Sequence, residues 1–309
     1  MKKKPIILDC DTGVDDAIAI MLANRIPQFD LRAITTVAGN VELEKTTSNS
    51  LRVLELIGSQ VPVYAGAATP LFRDQVTAGH VHGENGLGGI HLPLHRTVAS
   101  SLPAWDVIYK EAIVCEGALE LIAVGPLTNL GLALVKYHEL PKLIKRIVIM
   151  GGSATMGNVT PAAEFNIFAD PEAADIVFRS GVPVFMCGLD ATLQAYYTHD
   201  EIEQVGALNN KPAKFFHDVL QGLLSFSLDY GFPGACLHDP MTVLYAADDT
   251  IFETHHVGIR VETKGILTQG KTVTDLYSDK KMEPNAYIVT NVDRKAFQTR
   301  LCKLMASFN

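Results

Sequence analysis

Short apolar runs recur along the chain, and each ends in glycine, aspartate or asparagine before a segment with helical spacing begins. The runs cover residues 6–8, 31–37, 61–64, 121–124, 147–150 and 182–187. Their almost continuous apolarity is typical of strands that are buried on both faces of a sheet. Strands that alternate with helix-sized segments predict an α/β fold, with a mainly parallel open sheet and helices on both of its faces.

The segments between these runs predict helices over 15–24, 46–57, 171–178 and 211–230, and a closing helix over 292–308. Asp170 is placed to cap the helix that starts at Pro171. Three later runs, 257–262, 271–277 and 286–290, predict a small antiparallel addition to the sheet near the C-terminus. No internal repeat or linker interrupts the pattern, so we expect residues 1–309 to form one domain.

Composition narrows the classes of protein that fit this pattern. The 309 residues carry a formal net charge of −8 and are 48% hydrophobic, which supports a sizeable core and argues against disorder. The acidic balance argues against a nucleic-acid polymer as partner, because phosphate binding needs clustered lysine and arginine. The five cysteines lack a CxxC pair, which fits a reducing compartment. With no apolar run long enough for a signal peptide or a spanning helix, we expect a cytoplasmic protein without a membrane partner.

A dense acidic cluster follows the first predicted strand and comprises Asp9, Asp11, Asp15 and Asp16. In open α/β sheets ligands bind outside the carboxyl ends of the strands, so function is expected here. The dipole at a helix N-terminus stabilises negative charge, which by itself could explain Asp15 and Asp16 but not Asp9 and Asp11. So much negative charge in a desolvated turn is costly without a cation. Oxygen ligands indicate Ca²⁺ or Mg²⁺ rather than Zn²⁺.

Further candidate residues follow other predicted strands or lie far along the chain. Asn40 follows the second strand, Val124 ends the fourth with a free backbone carbonyl, and Asp239 is adjacent to His238. His82 lies on a glycine-rich loop that can fold over a ligand. These residues would complete an oxygen-rich site if the strands end at the same edge of the sheet.

Taken in order, these blocks resemble the inosine–uridine-type nucleoside hydrolase family. The segment Asp9-Cys-Asp11-Thr-Gly-Val-Asp15-Asp16 resembles the family's N-terminal aspartate motif. Matching blocks cover nearly the whole chain, at 35–40, 80–83, 125–129, 150–152, 163–166, 170–174, 188–190 and 238–240. The residues over 147–194 look closest to the bacterial broad-specificity ribonucleoside hydrolases. Thr12 departs from the pattern, since many members carry proline there.

The resemblance implies an enzyme of nucleoside salvage that hydrolyses the N-glycosidic bond of ribonucleosides to ribose and a free purine or pyrimidine base. It implies one Ca²⁺ per subunit, held by Asp11, Asp15, Asp239 and the carbonyl of Val124. It also implies a homo-oligomer, either a tetramer or a dimer. Broad base specificity is the first expectation, and a pyrimidine-preferring ribonucleoside hydrolase is the alternative.

The resemblance also assigns catalytic roles. Asp11 is expected to be the general base for the attacking water, because a carboxylate has one oxygen to spare for it. His238 adjoins the expected ligand Asp239, so it faces the site if Asp239 does. His238 and His82 are the candidates for activating the departing base, because histidine can donate a proton near neutral pH.

Recognition of the substrate falls to a second group of side chains. The expected ribose-contacting residues, including the floor under the sugar, are Asp15, Asn40, Met150, Asn158, Glu164, Phe165 and Asn166. An extended segment would turn Glu164 and Asn166 to the same side. Asp16 is expected to contact the ribose or to support the metal ligands, and Tyr230 to stack on the base.

Two other classes of protein fit part of the pattern. A phosphatase of the haloacid-dehalogenase type also starts with Asp-x-Asp and would use Asp9 as nucleophile, but it leaves Asp15 and Asp16 unexplained. A non-catalytic Ca²⁺-dependent nucleoside-binding protein would keep the fold but has no need of both Asp11 and His238. Release of phosphate from a phosphoester would support the first, and nucleoside binding without release of ribose the second.

Overall fold

The computed structural model describes residues 3–277, 279 and 281–308. The strands are β1 (Lys4–Cys10), β2 (Phe29–Thr36), β3 (Val63–Ala65), β4 (Leu119–Ala123), β5 (Ile144–Met150), β6 (Val184–Cys187), β7 (Tyr196–Tyr197), β8 (Ala235–Cys236), β9 (Phe252–Val261), β10 (Thr272–Asp275) and β11 (Ala286–Val292). Every strand predicted from the sequence is present, and β9 starts earlier than predicted, within a polar stretch.

The helices are α1 (Val14–Arg25), α2 (Leu43–Leu56), α3 (Gly79–His82), α4 (Ala104–Val114), α5 (Thr128–Lys136), α6 (Phe165–Ala169), α7 (Pro171–Phe178), α8 (Leu189–Thr192), α9 (His199–Gly206), α10 (Lys211–Asp229), α11 (Asp239–Ala247) and α12 (Arg294–Ala306). The predicted cap of α7 is confirmed, because the Asp170 carboxylate accepts a hydrogen bond from the Ala173 amide at 3.0 Å. No helix among the described residues combines the length and the hydropathy that a membrane span requires.

The described strands form a nine-stranded sheet in the order β10-β9-β11-β6-β5-β4-β1-β2-β3, and β7 pairs separately with β8. From β11 to β3 all neighbours are parallel, whereas β9 and β10 are antiparallel additions at one edge. The predicted architecture is therefore confirmed. The prediction that β11 belongs to the antiparallel addition was only half correct. One edge of β11 pairs with β9 in antiparallel fashion, but the other edge pairs in parallel with β6.

Two hydrophobic cores cover the two faces of the sheet. Side chains of Ile6 and Leu8 enter the core beneath α1, α2, α10, α11 and α12, whereas Ile7 between them enters the core beneath α4, α5 and α7. This alternation follows from the pleat of a strand, which points successive side chains to opposite faces. It leaves β1 buried on both sides and fixes the position of its carboxyl end.

The sheet reverses its winding at β1. The chain builds β2 and β3 on one side of β1 and then crosses to place β4 on the other side. A crevice opens at such a switch point, beyond the carboxyl ends of the two strands that flank it. Asp11 and Gly125 follow these two strands, so the acidic turn lies at the crevice.

Candidate active site

The turn between β1 and α1 is fixed by the carboxylate of Asp16. Its Oδ1 accepts from the Asp11 amide at 3.1 Å and its Oδ2 from the Gly13 amide at 2.8 Å. The side-chain amide of Asn40, which follows β2, donates to the same Oδ2 at 3.1 Å. Both oxygens of Asp16 are engaged within the protein, so its carboxylate holds the turn, and which of its two expected roles it takes stays a prediction.

Asp11 is fully buried, and one of its carboxylate oxygens lacks a partner. Its Oδ2 accepts from the Asn40 amide at 2.7 Å, while its Oδ1 is buried without a hydrogen-bond partner in the described part of the chain. Two glycines make room for this carboxylate. A Cβ on Gly39 would lie 2.2 Å from Oδ2, and one on Gly125 would lie 2.7 Å from Oδ1. An orphaned anionic oxygen in a tight cradle is suited to a cation.

The other carboxylates gather next to Asp11. One oxygen each from Asp15, Asp16 and Asp239 lies within 4.8 Å of the other two, and all three residues are buried. Burial and then the neighbouring charges of Asp15 and Asp16 raise the pKa of Asp239 well above its usual range. Burial and then the charge of Asp15 raise the pKa of Asp16 to about 6. A bound divalent cation would compensate the clustered charge and stabilise the ionised form of these buried carboxylates.

Asp9 does not belong to this group, contrary to the sequence-based interpretation. Its Oδ1 accepts from the Thr35 hydroxyl and, at 2.8 Å, from the Asn129 side-chain amide, whereas its Oδ2, like Oδ1 of Asp11, is buried without a hydrogen-bond partner among the described residues. Burial raises the pKa of Asp9 to about 7. Asp9 therefore ties β1 to β2 and to the N-terminal turn of α5, and it does not line the cavity described below.

The segment that carries Glu164 and Asn166 is helical only from Phe165 onwards, so the expected extended conformation holds for Glu164 but was wrong for Asn166. Glu164 is the N-cap of α6, and its side chain accepts from the amides of Asn166 at 2.9 Å and Gly152 at 2.7 Å. Burial raises the pKa of Glu164 to about 7. The side-chain amide of Asn166 donates to the Val124 carbonyl at 2.9 Å. That carbonyl keeps a second lone pair, so this bond leaves it free to act as a metal ligand.

A cavity of about 290 Å³ opens beside the aspartate cluster. It brings together almost all of the residues singled out from the sequence: Asp15, Asn40, His82, Val124, Met150, Asn158, Glu164, Phe165, Asn166, Tyr230, His238 and Asp239. Asp11 and Asp16 lie behind this lining and are shielded from solvent. The sequence predictions thus converge in space, while the roles assigned to the individual residues stay predictions.

Two histidines reach the cavity from different elements, of which His82 is buried and His238 is half-buried. The amide of Val14, the first residue of α1, donates to His82 Nδ1 at 3.2 Å. His238 precedes α11, and its Nδ1 lies 2.8 Å from the hydroxyl of Thr192. Burial lowers the pKa of both rings, which favours neutral imidazoles. Because the amide of Val14 donates to Nδ1 of His82, the proton of that neutral ring is on Nε2.

The end of the cavity away from the aspartates is mainly apolar and was largely missed in the sequence. Its lining includes Leu189, Leu193, Leu223, Phe226, Phe232 and Cys236. The rings of Phe226 and Tyr230 lie 4.6 Å apart, and Tyr230 is 63% exposed. Their four-residue separation at the end of α10 could have predicted this pair, because such positions share a helix face. No sequence signal indicated Thr192.

A buried aspartate cluster at the switch point of a parallel sheet, beside a cavity that is lined by carboxylate, amide, imidazole and apolar side chains but, among the described residues, by no lysine or arginine, fits an enzyme of the nucleoside hydrolase class. The model of the inosine-uridine preferring nucleoside hydrolase family matches residues 6–299, and the chain belongs to this family. It is a hydrolase that acts on N-glycosyl bonds. The match to this family excludes the alternative of a phosphatase of the haloacid-dehalogenase type.

Relatives and solved structures are similar over their full lengths. The chain is 42% identical to a pyrimidine-specific ribonucleoside hydrolase of Shewanella sp. strain MR-4, over 99% of this chain and 97% of that protein. It is 43% identical to one of Enterobacter sp. strain 638, over 99% and 98%. The purine-preferring ribonucleoside hydrolase of Gardnerella vaginalis superimposes with a TM-score of 0.92 at 34% identity, covering 99% of each chain.

Proposed function

We propose that this enzyme hydrolyses ribonucleosides to ribose and free base with Ca²⁺ as its cofactor, and that pyrimidine nucleosides are its preferred substrates. The observation that carries the proposal is the group of buried carboxylates from Asp15, Asp16 and Asp239, in which one oxygen of each lies within 4.8 Å of the other two, together with Oδ1 of Asp11, which has no hydrogen-bond partner in the described part of the chain. A cytoplasmic location and a homo-oligomeric state, tetramer or dimer, stay predictions that accompany it.

The donor set fits a hard cation. Asp11, Asp15, Asp239 and the carbonyl of Val124 offer oxygen atoms only, and Ca²⁺ accepts many oxygen ligands in a flexible arrangement. When bound there, Ca²⁺ would orient the ribose hydroxyls and acidify the attacking water. Asp16 would then support the site through its bonds to the amides of Asp11 and Gly13.

The hydrolytic step follows from where these groups lie. The oxygen of water bonds to C1′ of the ribose while Asp11 accepts one of its protons. The bond from C1′ to the base nitrogen breaks, and its electron pair leaves with the base, which takes up a proton. Positive charge develops on the sugar ring in between, and the surrounding carboxylates stabilise it. Asn40, Asn158, Glu164 and Asn166 line the same cavity and would hold the ribose hydroxyls.

The departing base would lie towards the two histidines. His82 presents Nε2–H, because its Nδ1 is engaged by the Val14 amide. A donor in that position stabilises the negative charge that builds up on the base as the bond breaks. Tyr230 and the apolar end of the cavity would cover the ring of the base and exclude water from it.

The proposed preference for pyrimidine bases rests on the relatives. The names of the relatives at 42% and 43% identity support a preference for pyrimidines. Broad specificity, the first expectation from the sequence, is the second candidate. It is favoured by the mainly apolar lining of the base end, which offers few polar groups that could select one base.

A panel of nucleosides tests the proposal directly. Uridine, cytidine, inosine, adenosine and 2′-deoxyuridine are incubated with the enzyme, and the reducing sugar that is released is measured. We expect uridine and cytidine to react about tenfold or more faster than the purine nucleosides. 2′-Deoxyuridine should react about 10³-fold more slowly than uridine, because the site would lose a ribose hydroxyl that it binds.

Each other outcome has a defined meaning. Similar rates for all four ribonucleosides would favour broad specificity over pyrimidine preference. Equal rates for uridine and 2′-deoxyuridine would contradict the ribose contacts. Tight binding of nucleosides without release of sugar would contradict catalysis and favour the non-catalytic binding protein.

A further inference from the structure

The ring of His238 contacts the hydroxyl group of Thr192, a residue that has no role in the proposed function. Thr192 ends the short helix α8 beyond the carboxyl end of β6, and it is completely buried. Its Oγ1 lies 2.8 Å from Nδ1 of His238, although the two residues are 46 positions apart in the sequence. Through this contact Thr192 reaches a side chain that lines the cavity, although Thr192 itself does not line it.

The surroundings of Thr192 decide which partner donates the hydrogen. Within the described part of the chain, Nδ1 of His238 is the sole hydrogen-bond partner of the Thr192 hydroxyl. If Nδ1 carried the proton, it would donate to Oγ1 and leave the hydroxyl hydrogen buried without an acceptor, which is costly. Both groups are satisfied only if the Thr192 hydroxyl donates its hydrogen to an unprotonated Nδ1 of His238.

The ring proton of His238 then falls on the other nitrogen. Nε2 has no hydrogen-bond partner among the described residues, and the ring lines the cavity. His82 reaches the same state by a different route, since a backbone amide donates to its Nδ1. Both histidines would therefore offer an Nε2–H donor to a ligand in the cavity.

We propose that Thr192 is a positioning residue that fixes His238 as its Nε2–H tautomer, so that the ring presents a hydrogen-bond donor to the base of the bound nucleoside. Thr192 itself stays out of reach of the substrate and acts only through the ring. The proposal rests on the proposed function for its consequence in catalysis, while the tautomer is a property of the protein alone. The two can therefore fail separately.

The catalytic consequence is tested with Thr192→Val, which keeps the volume and removes the hydroxyl, and with Thr192→Ser, which keeps the hydroxyl. Thr192→Val should lower kcat for uridine about 10- to 100-fold, because loss of a residue that holds a functional histidine through its other ring nitrogen typically has an effect of that size. Its effect on a nitrophenyl riboside should be less than about threefold, because that leaving group needs no donor. Thr192→Ser should restore most of the activity towards uridine.

A matched control removes a buried hydroxyl elsewhere. Thr290 Oγ1 is buried and has no hydrogen-bond partner in the described structure, and Thr290 does not line the cavity. Thr290→Val should therefore leave kcat for both substrates unchanged. An equal loss with uridine and the nitrophenyl riboside in Thr192→Val would mean that the substitution disturbs the site generally, and it would overturn the positioning role.

The tautomer is read out without any substrate by ¹⁵N NMR of protein labelled at histidine, with His238→Gln identifying the signals of His238. The wild-type protein should show a bare Nδ1 and a protonated Nε2, and Thr192→Val should lose this pattern or show a mixture of tautomers. A protonated Nδ1 in the wild type, or an unchanged pattern in Thr192→Val, would overturn the proposal. If the wild type releases no ribose, the proposed function fails while this measurement still decides the tautomer.

Discussion

The Asp11 carboxylate is a buried charge that the described residues leave half satisfied. Within the described structure only Oδ2 receives a hydrogen bond, and the carboxylate fits there because residues 39 and 125 are glycines, since a Cβ at either position would clash with it. Burial and then the charge of Asp16 raise the pKa of Asp11 well above its usual range. Such an arrangement costs stability in the metal-free protein, which is common where a residue is placed for function.

Replacing Asp11 should separate activity from stability. Asp11→Asn should lower the rate of ribose release from uridine by about 10³-fold, because the base for water is lost. The free energy of unfolding in the presence of a chelator should stay the same or rise, because the substitution removes a buried charge and its repulsion from Asp16. The sugar assay and urea denaturation measure the two effects.

Asp248→Asn is the matched control at a half-exposed position, where the carboxylate pairs with Arg300 at 3.1 Å. It should leave the rate of ribose release at the wild-type level. If Asp11→Asn kept activity within a few-fold of the wild type, Asp11 would have no part in the reaction. A clear loss of stability without metal would mean that Asp11 is paired within the protein.

At the scale of elements, the two ends of the central strands serve different purposes. Their carboxyl ends carry the aspartates, whereas Glu120 lies near the amino end of β4 and is buried. Glu120 binds Lys145 at 2.7 Å and Arg146 at 2.8 Å, both on the neighbouring strand β5. Arg146 also donates to the carbonyl of Ala246 in the last turn of α11, so this cluster joins two strands and a helix.

The Glu120 cluster makes part of the stability depend on pH. Burial alone would raise the pKa of Glu120, but the hydrogen bond from Lys145 and the charge of Arg146 outweigh it and lower the pKa below the ordinary value of 4.5. A lowered pKa contributes stability that is fully present above that ordinary value and is lost as the pH falls through the lowered one. Glu120→Gln should therefore lower the free energy of unfolding by about 2 kcal/mol at neutral pH. Most of this loss should come from the pair with the largely buried Arg146, because Lys145 is half exposed and its pair is screened by solvent.

Urea denaturation of the wild type and Glu120→Gln, in steps from neutral pH into the acid range, checks this expectation. The difference in unfolding free energy should be constant down to about the ordinary pKa of a glutamate and shrink below it. Other buried carboxylates titrate in both proteins and cancel in the difference. A difference that is independent of pH, or that grows on acidification, would contradict the account. Ribose release at neutral pH should be unchanged.

For the whole molecule, the sequence was sufficient for the parts that depend on local patterns. Apolar runs predicted β1 to β6 because strands buried on both faces are continuous in apolar residues. The position of the site followed from the rule for carboxyl ends, since Asp15, Asn40 and Val124 all come after strands and do meet at one cavity.

The parts that could not be predicted depend on contacts between distant segments. Asp9 and Asp11 are two residues apart, and each keeps one carboxylate oxygen without a hydrogen-bond partner in the described structure, yet Asp9 pairs with Asn129 whereas Asp11 pairs with the amide of Asn40. The contact of Thr192 with His238 exists only because α8 and the start of α11 meet in space. Glu164 became a helix cap through the position of the amides around it, which no spacing in the sequence reveals.

The aspartate cluster is proposed to hold a divalent cation on which hydrolysis depends, and removal of the metal is the sharpest test of this role. The enzyme is treated with a chelator, dialysed until elemental analysis finds no metal, and assayed for ribose release from uridine before and after Ca²⁺ is added. We expect activity to disappear with the metal and to return with Ca²⁺, and we expect Asp239→Asn to need far more Ca²⁺ to recover. Full activity in enzyme shown to be free of metal would mean that hydrolysis does not depend on a cation in this cluster.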